Sequence, residues 1–125
     1  MDLNQVTLPS TDMKKSIEFY TKLGLKLIVS SSEVYSRFEL HDGDSTFSLS
    51  LVDKNPSGQL VKIYFEVPDV DIYYSKLILQ GIKFSSKPEI KIWLWKEAQL
   101  EDPDGNIIII YEAGENRKNP PWRIS

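Results

Sequence analysis

The feature that most constrains the fold of this chain is an internal duplication. Leu8-Pro9 recurs as Val67-Pro68, and the segment 24–27 (GLKL) recurs as 81–84 (GIKF), so the two copies lie 57 to 59 residues apart. A repeat of this length holds one supersecondary unit, and neighbouring copies can cover surfaces that neither covers alone. The chain therefore predicts two similar modules, one in each half.

The first copy predicts the order strand, helix and three strands. Its helix has N-cap candidates at 10–12 (STD), carries apolar residues at helical spacing and ends at Gly24, which tolerates a left-handed backbone. The turn formers HDGD at 41–44 predict a hairpin between the last two strands. The predicted strands span residues 5–8, 25–29, 34–40 and 46–52.

The second copy predicts the same order, with a strand at 61–67 and a helix that is capped by Asp69 or Asp71 and ends at Gly81. The apolar stripe of this helix consists of Val70, Tyr74, Leu77 and Ile78. We predict a single α+β domain in which two tandem βαβββ modules form a concave mixed sheet with the helices outside. The modules span about 1–53 and 60–114, turn formers at 54–58 link them, and residues 115–125 form a C-terminal tail.

The composition excludes several classes of partner. The chain has 125 residues, no cysteine, and a net charge of -3 from 15 basic and 18 acidic side chains. Because the basic residues are scattered, we expect no binding to nucleic acid or to a membrane. No apolar run approaches the roughly 20 residues that cross a bilayer, and no targeting segment is visible, so we expect a cytoplasmic protein. A chain of this length buries about two-thirds of its unfolded surface and needs no cofactor to fold.

Three segments carry a resemblance to a known family: QVTLPSTDMKKSIEFYTKLGLKL at 5–27, FEVPDVD at 65–71 and DPDGN at 102–106. Their order and spacing, together with the duplication, resemble the vicinal oxygen chelate superfamily. This superfamily includes glyoxalase I, extradiol dioxygenases, fosfomycin-modifying enzymes and bleomycin-resistance proteins. The resemblance covers nearly the whole chain and implies a cup formed by the sheets, in which the enzymes of the family hold a divalent metal. It also implies a homodimer, because complete cups in this family are often assembled between two chains.

The resemblance places the four metal-ligand positions on residues that suit a metal poorly. These positions correspond to Gln5, to Ser48 or Ser50, to Lys62 and to Ile109. Only the glutamine amide oxygen suits a cation, because serine lacks the charge, ammonium repels a cation and isoleucine has no donor atom. Glu112 lies three residues after Ile109, on the opposite face of the strand, and cannot replace it. We therefore expect no metal and no cofactor.

Period-two alternation along the strands predicts which side chains line the cup. The resulting candidate ligand-binding residues are Gln5, Arg37, Glu39, Ser48, Ser50, Lys62, Tyr64, Trp93, Trp95, Glu97, Ile109 and Tyr111. The same faces carry Thr7, Glu66, Gln99 and Ile107. Aromatic rings with a few charges of both signs suit a flat or cationic organic molecule. The leading hypothesis is a metal-independent small-molecule-binding protein that sequesters such a compound, in the manner of the bleomycin-resistance branch.

Two other functions compete with this hypothesis. In a structural dimerisation module, Trp93 and Trp95 would fill the cup or a dimer interface and leave no void for a ligand. In a metal-dependent lyase or isomerase of the glyoxalase I type, the ligands would be other carboxylates. Those candidates, which are also the candidates for paired-carboxylate hydrolysis, are Glu39, Glu66 and Glu97.

Three single residues complete the inventory. Lys62 is the candidate catalytic residue, because a lysine partly buried among aromatic rings can lose its proton and act as a base or form a Schiff base; it otherwise pairs with a carboxylate or reaches water. His41, the only histidine, is expected to be a solvated turn residue. Trp122 in the polar tail is expected to dock at a sheet edge or at a dimer contact.

Overall fold

The computed structural model describes residues 1–54 and 61–125. The described residues form a mixed α+β structure with two helices and two four-stranded mixed sheets. The chain divides into two compact units, which we call the first unit (Met1–Leu60 with Asp102–Asn106) and the second unit (Val61–Glu101 with Ile107–Ser125). Beyond Lys54, the predicted linker at 54–58 lies outside the described residues.

The first unit contains one helix and one sheet. Its elements are β1 (Gln5–Ser10), α1 (Met13–Leu23), β2 (Lys26–Ser31), β3 (Tyr35–Glu39) and β4 (Thr46–Leu51). The sheet order is β1-β4-β3-β2, in which β1 and β4 are parallel and the other pairs are antiparallel. These elements follow the predicted order strand, helix and three strands.

Helix α1 forms where the sequence predicts it. The Asp12 side chain accepts a hydrogen bond from the Lys15 backbone N–H at 3.1 Å, and Gly24 ends the helix at φ 115°. Its buried face carries Tyr20, whose ring centroid lies 4.5 Å from that of Phe47 on the sheet. Burial of a large apolar side chain of this kind contributes about 2 kcal/mol to folding.

The second unit repeats this order with shorter elements. They are β5 (Lys62–Glu66), α2 (Val70–Leu79), β6 (Glu89–Ile90), β7 (Lys96–Glu101) and β8 (Ile107–Glu112), followed by a 3-10 helix (Gly114–Arg117). The sheet order β5-β8-β7-β6 has the same pattern as that of the first sheet, with β5 and β8 parallel. The duplication in the sequence therefore corresponds to a duplicated sheet topology.

Two details of the second unit differ from the prediction. The segment after Gly81 makes only an isolated bridge, between Phe84 and Leu100, and β6 has two residues, because Pro88 has no N–H and restricts the residue before it. The alternation pattern treats residues 93–100 as a strand, but β7 begins only at Lys96, so this assignment is wrong for residues 93–95. Trp93 and Trp95 instead lie in the turn between β6 and β7, where Leu94 adopts φ 70°.

The start of α2 packs on the ends of β7 and β8. Asp69 caps the helix by accepting from the Ile72 N–H at 3.1 Å, while Glu112 accepts from the Val70 N–H at 3.0 Å. The Glu112 side chain thus serves the helix, as expected for a residue at an odd offset from Ile109. The inclusion of Ile78 in the buried stripe is wrong, because this residue is 43% exposed.

The DPDGN turn is built into the first unit by buried hydrogen bonds. Asp102 accepts from the Tyr20 hydroxyl at 2.6 Å and from the backbone N–H groups of Asp104 and Asn106 at 2.9 Å. Asp104 accepts from the Thr11 N–H at 3.0 Å. Burial, and then the charge of Asp102, raise the pKa of Tyr20 far above its usual value. The motif therefore has a structural role that its sequence alone does not reveal.

The tail and the hairpin turns are exposed. Trp122 is 57% exposed, so the expectation that it docks on its own chain is wrong, and its role at a dimer contact stays a prediction. The His41 side chain is exposed and lies 3.1 Å from Asp42. Among the described residues, no helix is long and apolar enough to cross a membrane.

Candidate functional site

One face of the second sheet carries the side chains that alternation predicts. Ile109, Tyr111 and Ala113 form a buried cluster, and Trp95 and Ile107 pack against it. Register places Tyr64 and Gln99 on either side of Ile109, in the same row of side chains. Alternate members of the isoleucine run, Ile107 and Ile109, therefore supply an apolar floor to this face.

Three aromatic rings pack together on this floor. Trp95 stacks on Tyr111 with centroids 4.8 Å apart, and Tyr64 meets them edge-on at 5.8 and 5.5 Å. The Trp95 N–H donates to the Asn116 carbonyl at 3.1 Å. These contacts show that Trp95 fills space within the unit, as one of the competing interpretations expects for it.

A pocket of about 160 Å³ opens beside this aromatic cluster. It is lined by Lys62, Tyr64, Ser86, Lys91, Trp93, Glu97 and Gln99. Pockets for drug-sized ligands measure about 300–1,000 Å³, so this pocket fits one ring or one alkylammonium group.

Glu97 is the most confined charge in the pocket wall. It is 5% exposed, and its carboxylate accepts a hydrogen bond from the Trp93 indole N–H at 2.6 Å. Within residues 1–54 and 61–125, it forms no ion pair. A buried carboxylate is costly without a cationic partner.

Burial raises the pKa of two tyrosines on this face. Burial, and then the charge of Glu97, raise the pKa of Tyr64 above its usual value. Burial, and then the charge of Glu66, do the same for the pKa of Tyr111. Both phenols therefore remain neutral across the physiological range, and they offer ring faces rather than negative charge to a ligand.

The two lysines of the pocket leave the charge of Glu97 available. Lys91 lies 3.6 Å from Glu89, and Lys62 is exposed to water. The catalytic hypothesis for Lys62 requires partial burial, and the structure does not provide it. In the part of the chain that the structure describes, Lys62 forms no ion pair with Glu97.

Two pocket residues, Ser86 and Lys91, were not predicted from the sequence. Ser86 is held by β7, because its hydroxyl accepts from the Gln99 N–H at 3.0 Å. Lys91 begins the tight turn, where its N–H donates to the Trp95 carbonyl at 2.8 Å. Lys87-Pro88 is the one sequence signal that indicates an irregular segment in this region. The residues KIWLWK at 91–96 contain no turn formers, so the sequence does not indicate the turn that they form.

In the first unit, the predicted residues Gln5, Ser48 and Arg37 meet around Tyr35, which was missed. The Gln5 amide N–H donates to the Ser48 hydroxyl at 2.5 Å, and the Ser48 hydroxyl lies 2.7 Å from the Tyr35 hydroxyl. The Arg37 Nε–H donates to the same Tyr35 oxygen at 2.9 Å. The Gln5 amide oxygen accepts from the Thr46 hydroxyl. We call these five residues the Tyr35 network.

The other candidates of the first unit lie outside this network. Glu39 lies 3.5 Å from Lys26, at the end of β3. Ser50 is half-buried and pairs in register with Tyr35, with no side-chain hydrogen bond between them among the described residues.

The residues at the four positions implied by the family do not fit a metal. The amide oxygen of Gln5 already accepts a hydrogen bond, and Ser48 is an uncharged hydroxyl inside the Tyr35 network. Lys62 carries an ammonium group, and Ile109 lies 2% exposed in the apolar floor with no donor atom. The described residues contain no group of three or more His, Cys, Asp or Glu that could hold an ion.

The sequence and the fold both match known proteins. Residues 2–110 match the family described as Glyoxalase/Bleomycin resistance protein/Dioxygenase superfamily. The chain is 33% identical over 128 residues to the uncharacterized protein YraH of Bacillus subtilis (strain 168), with 90% of this chain and 98% of that protein covered.

Two crystal structures show the same fold. A glyoxalase/bleomycin resistance protein/dioxygenase from Nocardioides superposes with a TM-score of 0.79 at 23% identity, covering all of this chain and 90% of the other. A bleomycin-binding protein in complex with bleomycin superposes with a TM-score of 0.72 at 21% identity, covering 90% and 98%. The resemblance seen in the sequence is confirmed: this chain belongs to the glyoxalase/bleomycin resistance protein/dioxygenase superfamily.

Proposed function

We propose that this protein binds a small organic molecule through a cationic group that enters the pocket of the second unit. One observation carries the proposal: the buried carboxylate of Glu97, which forms no ion pair with any residue that the structure describes, accepts a hydrogen bond from Trp93, whose ring is partly exposed. An aromatic face and a carboxylate together attract a quaternary or alkylated ammonium group, which sheds its weakly held water easily. The bleomycin-binding protein shares this fold and binds an organic compound, which supports the same kind of role here.

The size of the pocket limits the part of the ligand that it holds. A volume of about 160 Å³ accepts one compact group, and the remainder of a larger compound would lie outside it. Tyr64 and Trp93 line the walls and supply ring faces, while Gln99 and Ser86 offer polar contacts. Trp95, Ile109 and Tyr111 act in this proposal as the packed support of the pocket and do not contact the ligand.

We further propose that binding is independent of metal. The donor chemistry at the family's ligand positions supports this, since Gln5 is the one position of the four with a suitable oxygen, and that oxygen already accepts from Thr46. The alternative enzyme would need carboxylates in a group. Glu39 pairs with Lys26, Glu66 lies 3.8 Å from Arg117, and Glu97 accepts from Trp93.

A homodimer is also part of the proposal. Its support is the exposed apolar surface of the tail, in which Trp122 is 57% and Ile124 is 96% exposed. Burial of such groups against a second chain is favourable by about 25 cal/mol for each Å² of apolar area. The pocket beside Trp93 argues against the alternative of a module whose ligand space is filled by its own side chains.

Titration of Trp fluorescence tests the binding proposal, with choline as the probe and its neutral tert-butyl isostere as the reference ligand. We expect choline to bind more tightly than the isostere, and Glu97→Gln to weaken choline by about tenfold while it leaves the isostere unaffected. Glutamine keeps an acceptor for the Trp93 N–H, so the variant removes charge and preserves shape.

The matched control is Glu101→Gln, which removes an exposed carboxylate from the same strand, outside the pocket. Equal loss of choline affinity in both variants would mean that net charge alone attracts the cation. No preference for choline over the isostere in the unmodified protein would also refute the proposal.

A further inference from the structure

In the Tyr35 network, donors and acceptors follow one order from Thr46 through Gln5 to Ser48. The Thr46 hydroxyl donates to the Gln5 amide oxygen, which turns the amide N–H toward Ser48. Ser48 is fully buried, so its own proton cannot reach water and must go to a neighbouring acceptor. The structure gives the Ser48 hydroxyl two side-chain partners, the Gln5 amide N–H and the Tyr35 hydroxyl, and of these only the Tyr35 oxygen, 2.7 Å away, can accept this proton.

The Tyr35 oxygen therefore receives two hydrogen bonds from the protein. One comes from Ser48 and the other from the Arg37 Nε–H at 2.9 Å, and a guanidinium nitrogen can only donate. With both lone pairs occupied, Tyr35 offers only its own O–H outward. Tyr35 is half-buried and Arg37 is exposed, so both groups can be reached from water.

The charges around this pair favour an anion. Arg37 lies with its Cζ 5.4 Å from the Tyr35 ring centroid and forms no ion pair with any residue that the structure describes. The nearest acid on the same strand, Glu39, is paired with Lys26 at 3.5 Å. No residue that the structure describes accepts a hydrogen bond from the Arg37 Nη–H groups. Such a guanidinium, next to an outward O–H, matches the two oxygens of a carboxylate.

The lowered pKa of Tyr35 agrees with this arrangement. The hydrogen bond from Ser48 is the largest cause that lowers the pKa of Tyr35, partial burial opposes it, and the hydrogen bond and charge of Arg37 add to it. A phenol that is more acidic than usual is a stronger hydrogen-bond donor to an anionic acceptor.

We propose that Tyr35 and Arg37 form a binding site for a carboxylate on the sheet face of the first unit, with Ser48 as a positioning residue. The ligand class is a small carboxylic acid, or a larger compound that presents a carboxylate. The residues of this site belong to the first unit, and their charge is opposite in sign to that of Glu97 in the cation pocket of the second unit.

Titration with acetate at constant ionic strength, followed by the amide NMR signals of β3 and β4, tests the site. We expect saturable shifts in the unmodified protein, about tenfold weaker binding in Arg37→Gln and about fivefold weaker binding in Tyr35→Phe. Lys14→Gln removes an exposed positive charge from α1, away from the site, and should leave the affinity unchanged. A loss in Lys14→Gln equal to that in Arg37→Gln, or shifts that do not saturate, would overturn the proposal.

The Ser48→Ala variant tests whether Ser48 positions Tyr35 or only stabilises the fold. Without the Ser48 donor, the pKa of Tyr35 should move up toward its ordinary value of about 10, measured by the ultraviolet absorbance of the phenolate, and acetate should bind more weakly. Tyr35→Phe identifies the transition that belongs to Tyr35. An unchanged midpoint in a folded Ser48→Ala protein would contradict the proposed role of Ser48.

Discussion

At the scale of single residues, position along a strand was easier to predict than contact. Alternation correctly placed Tyr64, Glu97 and Gln99 on one face, because β5 and β7 have a strict period of two. Tyr35 could have been found by the same rule, since it lies two residues before Arg37 on β3. The orientation of the Ser48 proton depends on a chain of neighbours from three strands, and no local pattern in the sequence encodes it.

Gln5 allows the metal question to be tested at this scale. After dialysis against excess Zn²⁺, Ni²⁺, Mn²⁺ or Fe²⁺, we expect elemental analysis to find no metal above background, because the Gln5 oxygen is engaged by Thr46 and Ile109 offers no donor. Gln5→Ala should give the same result. Near-stoichiometric metal that disappears in Gln5→Ala would show that the protein is a metal-binding member of its superfamily.

At the scale of elements, the duplication and the helix caps predicted most of the fold. Both helices begin at a predicted Asp, and α1 ends at the predicted Gly. The sequence-based prediction was wrong at β6 and at the turn that contains Trp93 and Trp95. Pro88 limits β6 to two residues. The two tryptophans were assigned to a strand because aromatic residues are common in strands and because Trp93 and Trp95 are two residues apart.

The DPDGN turn gives an element-scale prediction. Tyr20→Phe removes the hydroxyl that donates to the buried Asp102, and a lost hydrogen bond to a charged group costs about 1–3 kcal/mol of unfolding free energy. Urea unfolding at neutral pH measures this loss. Tyr74→Phe, on a half-buried ring of α2 that packs on Phe84, should change stability by less than about 0.5 kcal/mol.

Tyr20→Phe should also change how the stability of the protein responds to alkaline pH. Because the pKa of Tyr20 is raised in the folded chain, its contribution to stability is fully present below the unfolded value of about 10 and is lost as pH rises above it. The Tyr20→Phe protein should therefore lose less stability than the unmodified protein above that pH. A Tyr20→Phe protein as stable as the unmodified protein at neutral pH would contradict a structural role for this hydrogen bond.

At the scale of the whole molecule, the family defines the fold but leaves the chemistry of the site open. Identities of 21% and 23% to solved relatives accompany TM-scores of 0.72 and 0.79, so very different side chains support the same two sheets. In this chain, one sheet face carries hydroxyls and an arginine, while the other carries aromatic rings and a buried acid. Function therefore has to be argued from these faces.

The tail gives a prediction at this scale. Light scattering after gel filtration should give the mass of two chains, because Trp122 and Ile124 expose apolar surface that a second chain can cover. Trp122→Ala should raise the dissociation constant of the dimer, whereas Leu79→Ala, at an 89% exposed site on α2, should not. A single-chain mass at all concentrations would exclude the homodimer.

The most direct test of the proposed function is to locate a cation in crystals of the protein. Tetramethylarsonium has the shape of a quaternary ammonium group, and its arsenic can be located by anomalous scattering. We predict one strong arsenic peak in the pocket of the second unit, within about 6 Å of the Trp93 ring centroid and beside the Glu97 carboxylate. Arsenic peaks only at other surfaces, with the pocket holding water, would contradict the proposal that Glu97 and Trp93 recognise a cation.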